Sequence, residues 1–409
     1  MKRFWKKILY SITALVLIYL LLLIPGDADK GIVTSAVKEP FSWNRDEQWL
    51  QMEKQFLQAK KMQRNELDSI IAAKKVIAEN GLMLLQQPGR SSQDSSWLSA
   101  ENNFFILASL VAVHQNQLPW FIDYYTRFRN TVKLQSALWN MNEGSTRNTI
   151  YMLLYGMRAA VEEVLLQTGS RSFSAAMPVK NERSVTPVTG IFGIEVHSGD
   201  LLVSRGGAEV SALISRGNDY PGNFSHVALV YVDEKTNQPF LIEAHIEKGV
   251  AVASVAQYEN DKKLRFMVMR PNWNLPQVQK DPMLVHKAAK AVYEEVARRH
   301  IPYDFKMDFS DPSKMFCSEV GSYAYQKAGI PVWKYPSSIS SPGVVNWLHE
   351  FGVENFITQM PSDLEYDPQF SVVAEWRDPE TLFKDHIDNA VMDVLLERAN
   401  AGEKIGYNI

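Results

Sequence analysis

The chain has 409 residues, of which 46% are hydrophobic, and its formal net charge at pH 7 is −3. This length accommodates about two or three domains, and the balanced charge leaves no basic patch of the kind that binds nucleic acid. The chain has a single cysteine, Cys317, which excludes an intramolecular disulfide.

The N-terminus has the layout of a membrane-targeting segment. Four of the first seven residues are basic, and an apolar run follows over residues 8–24. At about 1.5 Å per residue this run nearly crosses a hydrocarbon core of roughly 30 Å, and the leading positive charge keeps that end in the cytoplasm. We therefore predict a transmembrane signal anchor over residues 1–28, which makes the chain a single-pass protein of the cytoplasmic membrane with its body on the extracytoplasmic (periplasmic) side. A cleaved signal peptide and a buried helix are the alternatives.

The next part of the chain has the apolar spacing of helices. Trp49, Met52 and Phe56 recur at helical intervals, and similar stripes continue through this region. We predict a helical domain over residues 39–168 whose stripes pack on one another. Residues 169–190 mix Ser, Pro, Thr and Arg without an apolar period, and this composition predicts a linker.

Short strands and helices alternate in the rest of the chain. The pattern predicts one domain over residues 191–378 and a C-terminal helix within residues 379–409. Predicted strands cover residues 199–204, 225–232, 240–246, 264–270 and 370–376, and predicted helices cover residues 283–299 and 316–327. The predicted fold class is therefore α+β, with an N-terminal transmembrane anchor, a helical domain, and a domain in which a small antiparallel sheet packs on helices.

Two polar side chains interrupt neighbouring apolar strands. His226 begins one predicted strand, and Glu243 lies in the middle of the next one. If the two strands form a hairpin, both side chains share a face and lie within cross-strand reach. A carboxylate bonded to one imidazole nitrogen fixes the tautomer and leaves the other nitrogen to take a proton. His245 and Asp304 are the alternative candidates for this orienting role.

The third candidate is Cys317, at the start of an amphipathic helix over residues 317–328. The free N–H groups and the dipole of a helix N-terminus stabilise a thiolate, which is the reactive form of cysteine. The same N–H groups can bind the oxyanion of a tetrahedral intermediate. The sequence therefore predicts Cys317 as nucleophile, His226 as base and Glu243 as the residue that orients the base.

The segments around these residues resemble a known family. Ser-His-Val within residues 223–230 and Phe-Cys-Ser-Glu within residues 315–320 are similar to motifs of the permuted papain-like cysteine hydrolases of the NlpC superfamily, in particular the YiiX/YebB-like and YaeF-like bacterial proteins. In this group the histidine strand precedes the cysteine, as it does here. The resemblance covers residues 195–378, less than half of the chain.

The resemblance implies a fold and further site residues. It implies a permuted papain-like (NlpC-type) catalytic domain over residues 191–378, in which the segment at 241–244 carries the third catalytic residue. Tyr303 resembles a tyrosine that lies beside the oxyanion site in related enzymes. Ser318, the residue after the cysteine, is a second candidate for the oxyanion or substrate pocket.

These residues predict a cysteine hydrolase, an amidase or peptidase outside the cytoplasm, that cleaves an amide bond in a small peptide or N-acyl substrate through an acyl-enzyme. A lipid acyltransferase or esterase is an alternative, because proteins similar to lecithin:retinol acyltransferase share the permuted order. A binding module without turnover is another. The expected partners are a small peptide, N-acyl or lipid substrate and, through the N-terminal helix, the membrane, but not nucleic acid. No cofactor or metal is predicted, since the eight histidines are scattered and form no His-Glu-x-x-His motif.

Overall fold

A computed structural model of the chain describes residues 46–168, 175–332 and 335–404, together with several residues between 6 and 19. Within these ranges an N-terminal group of helices packs against a region built around one large antiparallel sheet.

The N-terminal helices pack through their apolar faces. Phe104, Phe121 and Phe128 are fully buried in their common core, and the rings of Phe104 and Phe121 stack with centroids 4.5 Å apart. The Asp94 side chain caps one helix by accepting a hydrogen bond from the backbone N–H of Ser96 at 2.9 Å. The helices are α1 (Asp46–Ala59), α2 (Arg64–Leu85), α3 (Ser95–Val113), α4 (Leu118–Ser136), α5 (Gly144–Tyr151) and α6 (Met157–Thr168), the last two joined by a π-helical turn (Met152–Gly156).

The large sheet contains seven strands in the order β1-β11-β8-β4-β5-β6-β7, and all neighbouring strands are antiparallel. Its strands are β1 (Ala176–Pro178), β4 (Leu201–Gly206), β5 (His226–Val232), β6 (Pro239–His245), β7 (Gly249–Ser254), β8 (Lys263–Pro271) and β11 (Phe370–Trp376). Two small pairs complete the strands: β2 (Val188–Ile191) with β3 (Ile194–His197), and β9 (Ser337–Ser338) with β10 (Ile357–Thr358). The segment predicted as a linker thus contains β1, which pairs with β11 at the edge of the large sheet.

The second half of the chain also contains eight helices within the described residues. They are α7 (Glu209–Arg216), α8 (Val255–Asn260), α9 (Pro276–Lys280), α10 (Leu284–Arg298), α11 (Cys317–Lys327), α12 (Pro342–Glu350), α13 (Asp363–Tyr366) and α14 (Pro379–Asn400). The long C-terminal helix α14 packs against α7, α12 and β8.

Successive side chains along each strand point to opposite faces of the sheet, and the two faces contact different parts of the protein. Val227 and Leu229 of β5 face a core that includes α10 and α11. Ala228 and Val230 of the same strand face the opposite way, against apolar residues of the β2–β3 pair and α8. This two-residue period is the pattern that the sequence showed for a strand.

Close packing of α11 on the sheet depends on a glycine. A Cβ atom at Gly321 would lie 3.0 Å from the side chain of Leu201 in β4 and 3.6 Å from that of Val227 in β5. A larger residue would push the helix away from both strands. The glycine therefore brings the first turn of α11 close to the start of β5.

Buried ion pairs connect the N-terminal helices to the sheet region. Each pair joins an arginine and a glutamate that are almost inaccessible to solvent. The pairs are Arg129 with Glu375 of β11 at 2.6 Å, Arg158 with Glu365 of α13 at 2.7 Å, and Glu162 with Arg265 of β8 at 2.6 Å. Because an unpaired charge is costly in such surroundings, these contacts hold the two parts in one arrangement.

One part of the predicted fold class is corrected. The transmembrane anchor was predicted over residues 1–28, most of which lie outside the described residues. A span needs roughly 20 consecutive apolar residues in a helix, and no helix among the residues that the structure describes is long and apolar enough to cross a membrane. The anchor is therefore unsupported, and the fold is a mixed one in which a sheet packs on helices.

Candidate active site

The start of α11 meets the start of β5. Cys317 is the first residue of α11, and its Sγ lies 3.6 Å from the carbonyl oxygen of Ser225, the residue before His226. The Nε2 atom of His226 lies 2.7 Å from Oε2 of Glu243. This contact arises because β5 and β6 are neighbouring antiparallel strands, with Leu229 opposite Ile242. The structure thus brings the predicted nucleophile, base and orienting carboxylate together.

The ring of His226 joins the other two side chains. Because Nε2 faces the carboxylate of Glu243, Nδ1 is the nitrogen that remains for the thiol of Cys317. Burial lowers the pKa of His226, but hydrogen bonds with Cys317 and Glu243 outweigh burial and raise this pKa to about 10. The imidazole is therefore cationic at neutral pH, and a neighbouring imidazolium favours the thiolate form of a cysteine. The side chain of His226 is 22% exposed, which leaves it accessible to a substrate.

Glu243 is the buried end of this chain of contacts. Burial raises the pKa of its carboxyl, but hydrogen bonds from His226 and His245 outweigh burial and lower this pKa to about 2. His245 contacts the second oxygen, Oε1, through Nε2 at 3.4 Å. Asp304, the other candidate for orienting His226, accepts hydrogen bonds from the backbone N–H groups of Lys306 and Asp308. Its carboxylate therefore shapes the loop after Tyr303.

Replacing Glu243 with glutamine is expected to lower turnover by about 10²–10⁴-fold. The amide lacks the charge that stabilises the imidazolium, so His226 loses its proton at lower pH and is a weaker proton acceptor for Cys317. The onset of Cys317 alkylation by iodoacetamide should accordingly move to higher pH, which a pH series of labelling rates would measure. His245→Gln is the control, because it leaves the carboxylate on His226. An identical pH profile in wild type and Glu243→Gln would contradict this role.

Two further residues were predicted for the oxyanion or substrate pocket. Tyr303 lines the same small cavity as Cys317. Burial raises the pKa of its phenol, so the hydroxyl keeps its proton and can donate a hydrogen bond. Ser318 is fully buried, and its hydroxyl donates to the backbone carbonyl of Gln359. Ser318 therefore holds the segment around Gln359 in place next to α11.

Gln359 is a site residue that sequence reasoning missed. It lines the cavity with Cys317 and is 7% exposed. Within the described residues, its Oε1 atom has no hydrogen-bond partner. A buried side-chain oxygen without a partner is costly, so this Oε1 is available to a group that binds in the cavity. No motif marks this position in the sequence, and only the contact with Ser318 places it at the site.

The first turn of α11 contains another carboxyl, that of Glu319. It accepts a hydrogen bond from the backbone N–H of Phe316 at 2.8 Å, and Glu319 is 4% exposed. Burial raises its pKa to about 9, so the side chain is neutral at pH 7. Because Glu319 is neutral, it does not repel a thiolate at Cys317 electrostatically.

Three side chains at this place could together hold a metal ion. A ring nitrogen of His226, one of His245 and a carboxylate oxygen of Glu243 all lie within 4.8 Å of one another. Imidazole and carboxylate are ligands suited to Zn²⁺. A metal bound there would take one ring nitrogen of His226, which would then no longer be free for both the thiol of Cys317 and the carboxylate of Glu243.

A family of known proteins matches the part of the chain that contains this site. Residues 195–373 match the family of permuted papain-like amidase enzymes, YaeF/YiiX, the C92 family. The chain has no significant match among curated proteins. Among solved structures, the crystal structure of the metalloprotein yiiX from Escherichia coli O157:H7 is 21% identical with a TM-score of 0.32, and the match covers 43% of this chain and 95% of that chain.

The family match confirms the resemblance that the His226 and Cys317 motifs indicated. Its limits, residues 195–373, include both motifs, Glu243 and Tyr303. The helices before residue 195 lie outside it. The chain is therefore an enzyme, a cysteine hydrolase, and its residues 195–373 match the permuted papain-like amidase family.

Proposed function

We propose that the enzyme hydrolyses an amide bond in a small peptide or N-acyl substrate, and that Cys317 forms an acyl-enzyme. One observation carries this proposal: Cys317 begins α11 beside a histidine whose other nitrogen lies 2.7 Å from a buried carboxylate. That arrangement supplies a nucleophile, a proton carrier and the group that orients the carrier. The nucleophile also lines a cavity in which an acyl group can lie.

Acylation begins when Sγ of Cys317 attacks the carbonyl carbon and the carbonyl electrons move onto oxygen. The C–N bond then breaks, and the imidazolium of His226 gives its proton to the departing amine. A thioester on Cys317 and a neutral imidazole remain. In the second half, His226 takes a proton from water, and the resulting hydroxide adds to the thioester carbonyl. The C–S bond breaks, releasing the carboxylic acid and restoring the thiolate and imidazolium.

The oxyanion of each tetrahedral intermediate needs hydrogen-bond donors that are already in place. Free backbone N–H groups at the start of a helix can serve as such donors, and the hydroxyl of Tyr303 is a neutral donor on the cavity that Cys317 lines. The side-chain amide of Gln359 also lines the cavity, and its nitrogen is a further candidate donor.

Tyr303→Phe is expected to lower kcat on the order of a hundredfold while changing KM little, because one oxyanion donor acts mainly in the transition state. Steady-state kinetics with an N-acyl p-nitroanilide would measure both constants. The matched control is Tyr323→Phe on α11, whose hydroxyl donates to Glu295 at 3.0 Å. A loss confined to KM would assign Tyr303 to substrate binding instead.

The acyl-enzyme itself can be trapped. We would mix the protein with an excess of N-hexanoyl p-nitroanilide, quench with acid in the first turnover, and digest the protein for mass spectrometry. The expected result is a hexanoyl mass increase on the peptide that contains Cys317, together with release of p-nitroaniline. Release of p-nitroaniline without any adduct at Cys317 would overturn the proposed mechanism.

A further inference from the structure

A second and larger cavity lies between the N-terminal helices and the C-terminal helix. Its volume is about 520 Å³, and residues of α6, α12, α14 and the segment after α7 line it. Both α6 and α14 lie outside residues 195–373, the part of the chain that the family matches. The cavity adjoins the catalytic one, since Gly217 and Ile339 line both, but Cys317, His226 and Glu243 do not line it.

Most of the charged groups in this lining are acidic. The single guanidinium of the lining, that of Arg216, already contacts both oxygens of Asp393 at 2.8 and 2.9 Å. The lining carboxyl groups are those of Glu162, Glu163, Asp219, Asp393 and Glu397. Negative charge therefore exceeds positive charge among the described residues of the cavity wall.

Two of these carboxylates remain available to a ligand. Glu162 is neutralised by Arg158 and Arg265, whereas Glu163 accepts only an uncharged amide N–H, from Gln167 at 2.8 Å. In the parts of the chain that the structure describes, neither Glu163 on α6 nor Glu397 on α14 pairs with a cationic side chain. The two helices thus each present one unneutralised carboxylate to the cavity.

An asparagine of α14 adds a neutral acceptor. Asn389 lines the cavity and is 7% exposed. Its amide nitrogen donates to Oδ2 of Asp385 at 3.2 Å, and an ionised carboxylate only accepts, so the orientation of the amide is fixed. No described residue donates to its Oδ1. A buried oxygen without a partner is costly, so this atom is available to a donor that enters the cavity.

The available groups define the chemistry of the ligand. Carboxylates and an amide oxygen accept hydrogen bonds, so the ligand must be cationic and must donate. At about 10–15 Å³ for each water-sized group, 520 Å³ has room for roughly 35–50 such groups, far more than one metal ion requires. Trp49, Val344 and Leu396 also line the cavity and offer apolar surface to methylene groups and, at the indole, to an ammonium.

We propose that the cavity between α6 and α14 binds a linear aliphatic polyamine. Its ammonium groups pair with Glu163 and Glu397, one N–H donates to Oδ1 of Asn389, and its methylene groups lie against Val344 and Leu396. More than one ammonium is required because the two carboxylates belong to different helices. This site goes beyond the proposed amide hydrolysis, which does not need it.

The test is a calorimetric titration of the full chain with spermidine at low ionic strength. Putrescine, butylamine and 1,4-butanediol serve as comparison ligands with two, one and no ammonium groups. We expect saturable binding of spermidine, weaker binding by up to about fivefold for each ammonium removed, and none of 1,4-butanediol. Added salt should weaken the binding, because the carboxylates are partly accessible to solvent.

Variants of the lining locate the site. Glu163→Gln and Glu397→Gln should each raise the Kd for spermidine by up to about fivefold, and their effects should multiply in the double variant. Glu294→Gln makes the same change on α10 at a side chain that is 51% exposed and does not line the cavity, and it should keep the wild-type Kd.

Asn389→Leu tests the buried acceptor. It should raise the Kd by roughly tenfold or more, because a hydrogen bond from a charged donor is lost. The carboxylate of Asp385 keeps its contact with Arg265 at 2.7 Å in this variant. If Asn389→Leu lacks a cooperative thermal transition, the Glu163→Gln/Glu397→Gln double variant decides the question.

The other outcomes overturn the site without touching the proposed function. Equal affinity of the wild type and the double variant for spermidine would exclude this cavity. Tighter binding of Mg²⁺ than of spermidine would assign the carboxylates to a metal ion. Protein alkylated at Cys317 should bind spermidine as tightly as before, and lost binding would place the polyamine in the catalytic cavity instead. None of these titrations depends on whether the enzyme hydrolyses amides.

Discussion

Replacing Cys317 with alanine is expected to lower kcat/KM by roughly 10⁴–10⁶-fold, and His226→Ala should cause a loss of similar size. The two losses are similar because the thiolate is reactive only as a partner of the imidazolium, so removing either member removes both. The structure places them at the start of α11 and at the start of β5, within one hydrogen-bonded set. Hydrolysis of N-hexanoyl p-nitroanilide by each variant would measure the loss.

The double variant provides the sharper check. Cys317→Ala combined with His226→Ala should be no less active than either single variant, because groups that act as a unit do not contribute additively. The unfolding transition of each variant should remain cooperative, which shows that lost activity does not reflect lost structure. Substantial turnover by Cys317→Ala would contradict the assignment of the nucleophile.

The second large effect concerns stability. Arg158→Met is expected to lower the free energy of unfolding by about 3–5 kcal/mol, because it leaves the buried carboxylate of Glu365 without its cation. The guanidinium contacts Glu365 at 2.7 and 2.9 Å and Glu162 at 3.0 Å, and its side chain is 4% exposed. Urea denaturation followed by circular dichroism would measure the change.

A second arginine provides the matched control for this prediction. Arg127 pairs with Glu79 at 2.7 Å, but the two side chains are 36% and 37% exposed. Arg127→Met should therefore cost less than about 1 kcal/mol. Adding Glu365→Met to Arg158→Met should recover part of the loss, since the carboxylate left without Arg158 is then removed. Equal losses in Arg158→Met and Arg127→Met would show that the buried pair contributes no more than a surface pair.

Local pattern was sufficient to predict the central part of the site. The alternation around His226 and Glu243 predicted neighbouring strands, and a hairpin of antiparallel strands admits few registers that pair their faces. The position of Cys317 was predictable because the amphipathic pattern of the helix begins at this residue.

The remaining features depend on contacts between distant parts of the chain. Ser318 bonds to the backbone of Gln359 beside the cavity, and neither residue has a local pattern that indicates the contact. The strand order places β11 next to β8 although many residues separate them, and such pairings are not encoded by periodicity. The buried arginine–glutamate pairs were also unpredictable, because helical spacing reports which face is apolar but not which charges are covered by another part of the protein.

The edge strand β1 has a consequence for dissecting the protein. It is only three residues long and covers one side of β11, whose seven residues are mostly apolar. A short terminal strand is a common protection against uncontrolled pairing of sheet edges. A fragment that begins at residue 191 lacks β1, so backbone N–H and C=O groups at the edge of β11 lose their partners. These groups could then form hydrogen bonds with a second copy of the fragment. Fragments of the catalytic region that retain Ala176–Pro178 should therefore resist self-association better than shorter ones.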